Sequence, residues 1–278
     1  MFLRTIQDLE AIEHVPLAAR ISVRSTYELI REAATHDPER TAIAFLSGRD
    51  RLDRPEGISY GALLNGLHQT ANLLADLGVG SQDVIALLLP DLLETHLLFW
   101  GGQAAGIVCP VPPQFPLEQT IALLRVTKAR LLVAPGPRVG QEPWQKAEEI
   151  RRQVKSVTMM LQVRGPGKER DGVYAFDALL EDYPSDRLHA GREIAPDDIA
   201  VSFHRRDTTG TPSLVPVTHG NLLYAAWALG LVTTLAPEEV LLGGLWRFMQ
   251  GWWPAVGALH PWPCEPAPPL PLLRSVEQ

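Results

Sequence analysis

Cysteine is scarce in this chain of 278 residues, which contains only Cys109 and Cys264. Two cysteines so far apart in sequence give neither a disulfide framework nor the closely spaced ligands of a zinc site. Basic residues are also in the minority, because 25 Lys and Arg stand against 32 Asp and Glu and leave a formal charge of −7. This balance argues against a nucleic-acid-binding surface, which needs clustered positive charge.

Targeting and membrane segments are missing as well. The N-terminal residues 1–13 carry acidic side chains and lack the apolar run and cleavage site of a signal peptide. Residues 214–237 contain no Asp, Glu, Lys or Arg, but their densely apolar part, residues 222–232, has the length of a buried helix rather than a membrane span. Together with the low cysteine content, these features predict a cytoplasmic protein without a membrane span.

Short apolar runs alternate with longer segments of helical period along most of the chain. Such alternation is typical of an α/β fold with a mostly parallel sheet. A composition of 46% hydrophobic and 21% charged residues fits a globular protein. The predicted strands cover residues 41–46, 84–89, 107–111, 131–134, 157–163 and 199–204, and the predicted helices include residues 93–105, 117–128 and 144–154.

Several residues mark where helices begin and end. Ser25 followed by Glu28 predicts a capping box at a helix start. Ser59 is a suitable N-cap for the next helix, and Gly78 marks its end. Residues 164–172 contain several charges and indicate an exposed loop whose side chains are solvated.

The most informative segment joins a strand to a helix through a loop of small residues. The strand is predicted over residues 199–204, the loop reads Thr-Thr-Gly-Thr-Pro at residues 208–212, and Thr218 is an N-cap candidate for the helix. Small residues let backbone N–H groups approach an anion, and threonine hydroxyls add further donors. This layout suits a phosphate. His204 and His219 flank the loop without a carboxylate or nucleophile at motif spacing, so we predict local structural roles for both.

The loop resembles the second half of the ATP phosphate loop of the adenylate-forming, or AMP-binding, superfamily, which reads Ser/Thr-Gly-Gly-Thr-Thr-Gly-x-Pro-Lys. The chain is similar to the N-terminal portion of an acyl-CoA synthetase, or fatty-acid–CoA ligase. The resemblance implies that the fold is the incomplete N-terminal domain of an adenylate-forming enzyme. Further landmarks occur in the family's order at residues 25–29, 37–42, 59–64, 78–84, 106–117 and 218–221.

The resemblance also implies an activity and its cofactors. Thr208, Thr209, Gly210 and Thr211 correspond to phosphate contacts. ATP, Mg²⁺ and coenzyme A would be used to convert a small-molecule carboxylic acid, expected to be a fatty acid, to an acyl-adenylate and then to acyl-CoA. No catalytic or metal-binding residue is carried over, because the family's adenine pocket, magnesium-binding acid and catalytic lysine belong downstream of Leu245, where no match occurs.

The loop departs from the family pattern at four positions. Arg205, Arg206 and Asp207 stand where the family has Ser/Thr-Gly-Gly, and Ser213 stands where it has lysine. Two interpretations follow. The arginines replace the lost positive charge, since guanidinium groups bind phosphate well. Alternatively, their side chains block close backbone approach while Asp207 repels the anion.

The predicted organisation has three parts: an N-terminal extension over residues 1–24, a partial AMP-binding domain over residues 25–245, and an irregular tail over residues 246–278. The tail holds four of the seven tryptophans and seven of the 24 prolines. A frameshifted or truncated gene product is one hypothesis for this tail. Two function classes remain: an acid–CoA ligase with impaired activity, or an inactive remnant that acts as a degenerate nucleotide binder or interaction module. Incomplete burial also predicts self-association through exposed apolar surface.

Overall fold

The computed structural model describes residues 5–7, 10, 14–45, 56–166, 171–189, 191–206 and 212–233. A seven-stranded sheet with helices on both faces forms the centre of this part of the chain. A separate antiparallel pair is formed by β1 and β2. The strands are β1 (Thr41–Phe45), β2 (Glu56–Ser59), β3 (Val84–Leu87), β4 (Ile107–Pro110), β5 (Leu131–Pro135), β6 (Met159–Val163), β7 (Val173–Ala175), β8 (Ile199–Arg206) and β9 (Pro212–Thr218).

Helices connect most of the strands, as the α/β pattern predicts. In chain order they are α1 (Leu17–Arg20), α2 (Thr26–His36), α3 (Tyr60–Asp76), α4 (Leu93–Ala105), α5 (Leu117–Thr127), α6 (Gln141–Gln153), α7 (Phe176–Leu180) and α8 (His219–Thr233). None of the helices in the described ranges is long and apolar enough to cross a membrane.

The strand order in the large sheet is β7-β6-β5-β3-β4-β8-β9. All neighbours are parallel except β8 and β9, which form an antiparallel pair at one edge. The predicted fold class, an α/β protein with a mostly parallel sheet, is therefore confirmed. Because the parallel strands point the same way, their carboxyl ends lie along one edge of the sheet, where open α/β sheets bind ligands.

The local helix signals form the contacts that the sequence predicts. The Ser25 hydroxyl accepts a hydrogen bond from the Glu28 N–H at 3.2 Å, and the Ser59 hydroxyl caps α3 in the same way. The Glu28 carboxylate accepts from the N–H of Arg24 rather than of Ser25, which differs from a standard capping box. Gly78 follows α3 with φ of +80°, a left-handed conformation that glycine adopts without strain.

Side chains from successive strand positions enter two different hydrophobic layers. Ile85 and Leu87 face the layer that contains α2, α3, α4 and α8, whereas Ala86 and Leu88 face the layer beneath α5 and α6. The central strands β3, β4 and β5 are buried on both faces, which explains why they read as continuous apolar runs instead of alternating ones. Cys109 lies in the second layer, and its burial raises the pKa of the thiol to about 12.

Three polar side chains of α3 hold the backbone at the end of α7 and in the irregular segment that follows it, residues 181–189. Asn72 donates to the carbonyl oxygens of Pro184 and Arg187 at 3.1 and 2.9 Å, and its own oxygen accepts from the His189 N–H at 2.7 Å. The neighbouring side chains, His68 and Gln69, contact the carbonyls of Ser185, Leu180 and Tyr183. We call His68, Gln69 and Asn72 the α3 clamp. They give a segment without regular structure a fixed set of backbone partners.

Helices α3 and α4 cross closely at Gly101. A Cβ atom placed on Gly101 would lie 2.6 Å from Cβ of Thr70 and 3.1 Å from the carbonyl oxygen of Leu67. Thr70 is fully buried and β-branched, so its side chain has little freedom to move away. The crossing therefore requires glycine at this position.

We predict that Gly101→Ala lowers the free energy of unfolding by about 2 kcal/mol, because the added methyl group overpacks a rigid contact. The matched control is Gly230→Ala in α8, where a new Cβ would meet no atom within 4 Å. The control should be neutral or stabilising by up to about 1 kcal/mol, since alanine favours helix more than glycine does. Urea unfolding of both variants measures the difference, and equal stabilities would contradict the close crossing.

Some sequence expectations differ from the structure. The patterns in the sequence do not predict α1, β2, β7, α7 or β9. Arg164 is also not simply solvated, because its guanidinium pairs with both carboxylate oxygens of Glu94 at 2.6 and 3.0 Å and its N–H donates to Asp177. The tail over residues 246–278 lies outside the described residues, and the three-part organisation of the chain stays a prediction.

Candidate functional site

The predicted phosphate contacts belong to the segment that connects the two strands of the β8–β9 hairpin. Strand β8 enters the sheet beside β4, and its carboxyl end leads into residues 207–211. The predicted phosphate contacts Thr208, Thr209, Gly210 and Thr211 lie outside the described residues, so their role stays a prediction. The structure describes β8 and β9, the two strands that this segment connects, and the residues around them.

The connection from the loop to the helix differs from the sequence expectation. The sequence indicates a loop that leads to the helix capped by Thr218, but β9 occupies residues 212–218 between them. Arg205 pairs with Ser213 across the hairpin, and Arg206 pairs with Pro212. Three of the four positions at which the loop departs from the family pattern are thus strand residues, and two of these, Arg205 and Ser213, pair with each other. Arg205 is exposed near the carboxyl end of β8.

The helix start after β9 is built as predicted. The Thr218 hydroxyl accepts a hydrogen bond from the Asn221 N–H at 3.1 Å, and the Asn221 side-chain oxygen accepts from the Thr218 N–H at 3.2 Å. This reciprocal pair satisfies a backbone donor at the end of β9 and another at the start of α8. It fixes the direction in which the chain leaves the hairpin.

An aromatic contact flanks the carboxyl end of β8. The ring of Phe115, in the loop after β4, lies 5.0 Å from the ring of His204 in an edge-to-face arrangement. The Lys146 ammonium of α6 donates to the carbonyl oxygens of Pro113, at 2.9 Å, and Phe115. Desolvation lowers the pKa of Lys146, and Glu142 opposes this shift. The β4–α5 loop is therefore tied to α6 on one side and packs on β8 on the other.

A buried polar network anchors the base of the hairpin. His219 is fully buried, and its Nδ1 accepts a hydrogen bond from the Thr26 N–H at 3.3 Å. The Thr26 hydroxyl lies 3.0 Å from the same nitrogen and donates to the Gln103 side-chain oxygen at 2.9 Å. His219 thus satisfies one of the backbone donors at the start of α2, which have no partner within that helix.

The surroundings of His219 favour its neutral form. Burial lowers the pKa of His219 to about 4, and the nearby Arg192 guanidinium acts in the same direction. A neutral imidazole that accepts at Nδ1 carries its proton at Nε2. These contacts agree with the structural role that the sequence predicts for His219, and the ring contact with Phe115 gives His204 a local packing role as well.

The described part of the chain contains no cluster of potential metal ligands. Residues 5–7, 10, 14–45, 56–166, 171–189, 191–206 and 212–233 contain no group of three or more His, Cys, Asp or Glu side chains placed to hold a metal ion. The donors that border the loop are the exposed Arg205 and the hydroxyl of Ser213. Their chemistry fits a phosphate better than a cation.

Sequence profiles decide the family. The profile of the AMP-binding enzyme family matches residues 30–245, which is more than half of the chain. This chain belongs to the AMP-binding enzyme family. The matched segment includes the whole β8–β9 hairpin and α8.

Curated relatives of this family member are CoA ligases. A marinolic acid–CoA ligase of Pseudoalteromonas sp. (strain SANK 73390) is 24% identical over 229 residues, which make up 82% of this chain and 35% of that ligase. A crotonobetaine/carnitine–CoA ligase of Salmonella arizonae (strain ATCC BAA-731 / CDC346-86 / RSK2980) is 27% identical over 207 residues, or 73% of this chain and 38% of that enzyme. The chain thus spans little more than a third of the length of these relatives.

Solved structures share the fold. The anthranilate CoA ligase AuaEII, in complex with anthranoyl-AMP, matches this chain with a TM-score of 0.59 and 19% sequence identity. The match covers 79% of this chain and 38% of the AuaEII chain. VinN, in complex with 3-methylaspartate, matches this chain with a TM-score of 0.63 and 17% sequence identity. The match covers 85% of this chain and 60% of the VinN chain. At these identities the similarity supports the architecture of the sheet and helices alone.

Proposed function

We propose that this AMP-binding chain uses its β8–β9 hairpin to hold the phosphates of ATP for an acid–CoA ligase reaction. The carboxylate of the acid would attack the α-phosphorus of ATP to give an acyl-adenylate and release pyrophosphate, and coenzyme A would then displace AMP to give acyl-CoA. The acid we expect first is a fatty acid, on the sequence resemblance. The activity of this chain is expected to be weak, because the loop lacks the family's lysine and glycines.

The observation that carries the proposal is the placement of the hairpin. Its tip follows the carboxyl end of β8, next to the parallel strand β4, within the segment that matches the family. The carboxyl edge of such a sheet is where α/β proteins bind ligands. Thr208, Thr209, Gly210 and Thr211 would supply hydroxyl and backbone donors to the phosphates. Mg²⁺ would neutralise phosphate charge, but the described residues offer no ligand set for it.

The chain's own residues have limited means to stabilise a triphosphate. Ser213 offers one neutral donor where the family has an ammonium group. A charge-assisted hydrogen bond is about twice as strong as a neutral one. Arg205 lies directly across the hairpin from Ser213 and is exposed, which supports a partial replacement of the lost charge.

Restoring the family loop should therefore strengthen ATP binding. The variant with Arg205→Ser, Arg206→Gly, Asp207→Gly and Ser213→Lys regains a cation and allows close backbone approach, so we expect ATP to bind about tenfold more tightly, or about 1.4 kcal/mol. A control with Ser213→Met and the same three other changes keeps side-chain length without charge. Isothermal titration compares them, and equal affinity of the lysine and methionine versions would show that the cation has no role.

The ligase reaction is tested by carboxylate-dependent exchange of pyrophosphate into ATP. The acid panel should contain fatty acids and aryl acids, because the names of the relatives cover chemically different acids. Exchange that requires one acid class supports the ligase and identifies its substrate. No exchange with any acid, by either the natural or the restored loop, would reject the enzyme.

A second candidate is a nucleotide binder without ligase activity. The departures at Arg206 and Asp207 favour it, because both replace family glycines and Asp207 brings negative charge toward an anion. Saturable ATP binding without exchange would support this candidate over the ligase. Absence of both binding and exchange would leave the chain as an interaction module.

A further inference from the structure

The outer part of the β8–β9 hairpin extends past the end of its neighbouring strand. β8 pairs with β4 where Val201 lies opposite Val108, and β4 ends shortly afterwards at Pro110. The ladder between β8 and β9 continues over residues 203–206 and 212–215, which we call the outer hairpin. A two-stranded hairpin is only marginally stable by itself. The outer hairpin therefore depends on contacts with neighbouring loops and helices.

The loop between β4 and α5, residues 111–116, contacts the outer hairpin on one face. His204 pairs with Leu214 across the hairpin, so their side chains share that face. The ring of Phe115 meets the ring of His204 edge to face, with 5.0 Å between the ring centroids. Phe115 and Leu214 both pack against the hydrophobic layer beneath α5 and α6. Phe115 thus holds the outer hairpin against this layer.

Lys146 of α6 fixes the backbone that carries Phe115. Its ammonium donates to the carbonyl oxygen of Pro113 at 2.9 Å and to the carbonyl oxygen of Phe115 itself. An ammonium group has three donors, so one side chain can hold two points of the loop at once. Hydrogen bonds from a charged donor are about twice as strong as neutral ones. The position of the Phe115 ring therefore depends on Lys146.

The loop has few donors of its own, because it is rich in proline. Four of the seven residues 110–116 are proline, which has no N–H. The N–H of Val111 donates to the carbonyl oxygen of Leu87 at 2.9 Å, and the N–H of Phe115 donates to that of Pro112 at 3.1 Å. Lys146 thus supplies donors that the backbone of the loop cannot provide.

We propose that Lys146 is a positioning residue for the ATP site, because it holds Phe115 against the outer hairpin and thereby orients the strand ends that flank residues 207–211. This inference rests on the proposed phosphate-binding function of the hairpin. Lys146 acts through Phe115 and not by contact with phosphate, since its ammonium is engaged by the loop carbonyls. If Lys146 only fastened the loop to α6, its removal would leave the hairpin unchanged.

The test is amide hydrogen exchange of the full chain without ATP, measured over the outer hairpin. Lys146→Met keeps the length of the side chain but removes its donors, so protection of these amides should fall about tenfold. Lys146→Gln retains a neutral donor and should lower protection about threefold. The matched control is Lys155→Met, at an exposed position beyond the end of α6. This control should leave the protection unchanged.

A double variant shows whether Lys146 acts through Phe115. Phe115→Ala alone should also lower protection of the outer hairpin about tenfold, and adding Lys146→Met should lower it no further, because both changes remove the same contact. Unchanged protection in Lys146→Met overturns the proposal. So does a double variant with the product of the two single effects, or an equal loss of protection in β3 and β5, which would indicate general destabilisation.

Titration with ATP separates this inference from the proposed function. Where the wild type binds ATP, Lys146→Met should bind it about tenfold more weakly, and Lys155→Met should bind it as the wild type does. Equal affinity of Lys146→Met and the wild type would overturn the positioning role. A wild type that binds no ATP contradicts the proposed function, and hydrogen exchange then still decides whether Lys146 positions the hairpin.

Discussion

Asn72→Ala is expected to lower the free energy of unfolding by about 4 kcal/mol. The Asn72 side chain is buried and makes three hydrogen bonds to the backbone of residues 184–189. Alanine would leave the carbonyls of Pro184 and Arg187 and the N–H of His189 without these partners. Each backbone group that loses a hydrogen bond away from water costs about 1–3 kcal/mol.

Asn65→Ala provides a matched control, because Asn65 lies on the same helix and is exposed. We expect it to be neutral or slightly stabilising, since alanine is the better helix former. Thermal melting should separate the two variants by about 10 °C. Hydrogen exchange should show lost protection over residues 183–189 in Asn72→Ala alone. Equal melting of both variants would mean that the α3 clamp does not hold this segment.

Acidification is expected to destabilise the protein through His219. The folded-state pKa of His219 is lowered from 6.5 to about 4. Between these two values the unfolded chain binds a proton that the folded protein does not, so stability falls as the pH is lowered through this window. The stability that neutral His219 contributes is fully present above pH 6.5. The full shift corresponds to a loss of about 3 kcal/mol by pH 4.

His219→Gln isolates this contribution from other groups that titrate in acid. Glutamine does not titrate, and its side-chain oxygen can accept the hydrogen bond of the Thr26 N–H. The difference in the free energy of unfolding between the wild type and the variant should therefore be largest at pH 7. This difference should shrink by about 3 kcal/mol by pH 4. Urea unfolding at several pH values gives both curves. A difference that is independent of pH would show that His219 is not held neutral.

The α/β architecture could be predicted because its signals are local. Ser25, Ser59 and Gly78 mark helix ends through contacts with residues only a few positions away. The buried parallel strands read as apolar runs because both of their faces are covered. Local sequence carries this information directly, so the order of strands and helices follows from it.

Strand β9 was missed for a physical reason. Pro212 and Pro216 argue against a strand, since proline cannot donate to the ladder. β9 lies at the edge of the sheet, where alternate positions need no strand partner on one side. A strand at this position tolerates both prolines. The sequence therefore predicts a loop that leads directly to the helix, and not the hairpin that carries the candidate site.

The anchoring contacts of the site join distant parts of the chain. His219 meets Thr26 across 193 residues, and Asn72 meets His189 across 117. No local pattern contains these pairings, because they arise from how the helices pack on the sheet. Sequence alone gave His219 a structural role but could not provide its partner. The phosphate contacts at residues 208–211 stay a prediction from the family resemblance.

We propose that the tip of the β8–β9 hairpin binds the phosphates of ATP, and calorimetric titration of the intact chain with ATP tests this claim most directly. The chain should bind ATP, and Thr208→Val with Thr209→Val should weaken binding about tenfold by removing two hydroxyl donors. Thr41→Val, at an exposed position in β1, is the control and should leave the affinity unchanged. Failure of ATP to bind the intact chain, or equal affinity in the double variant, would contradict the claim.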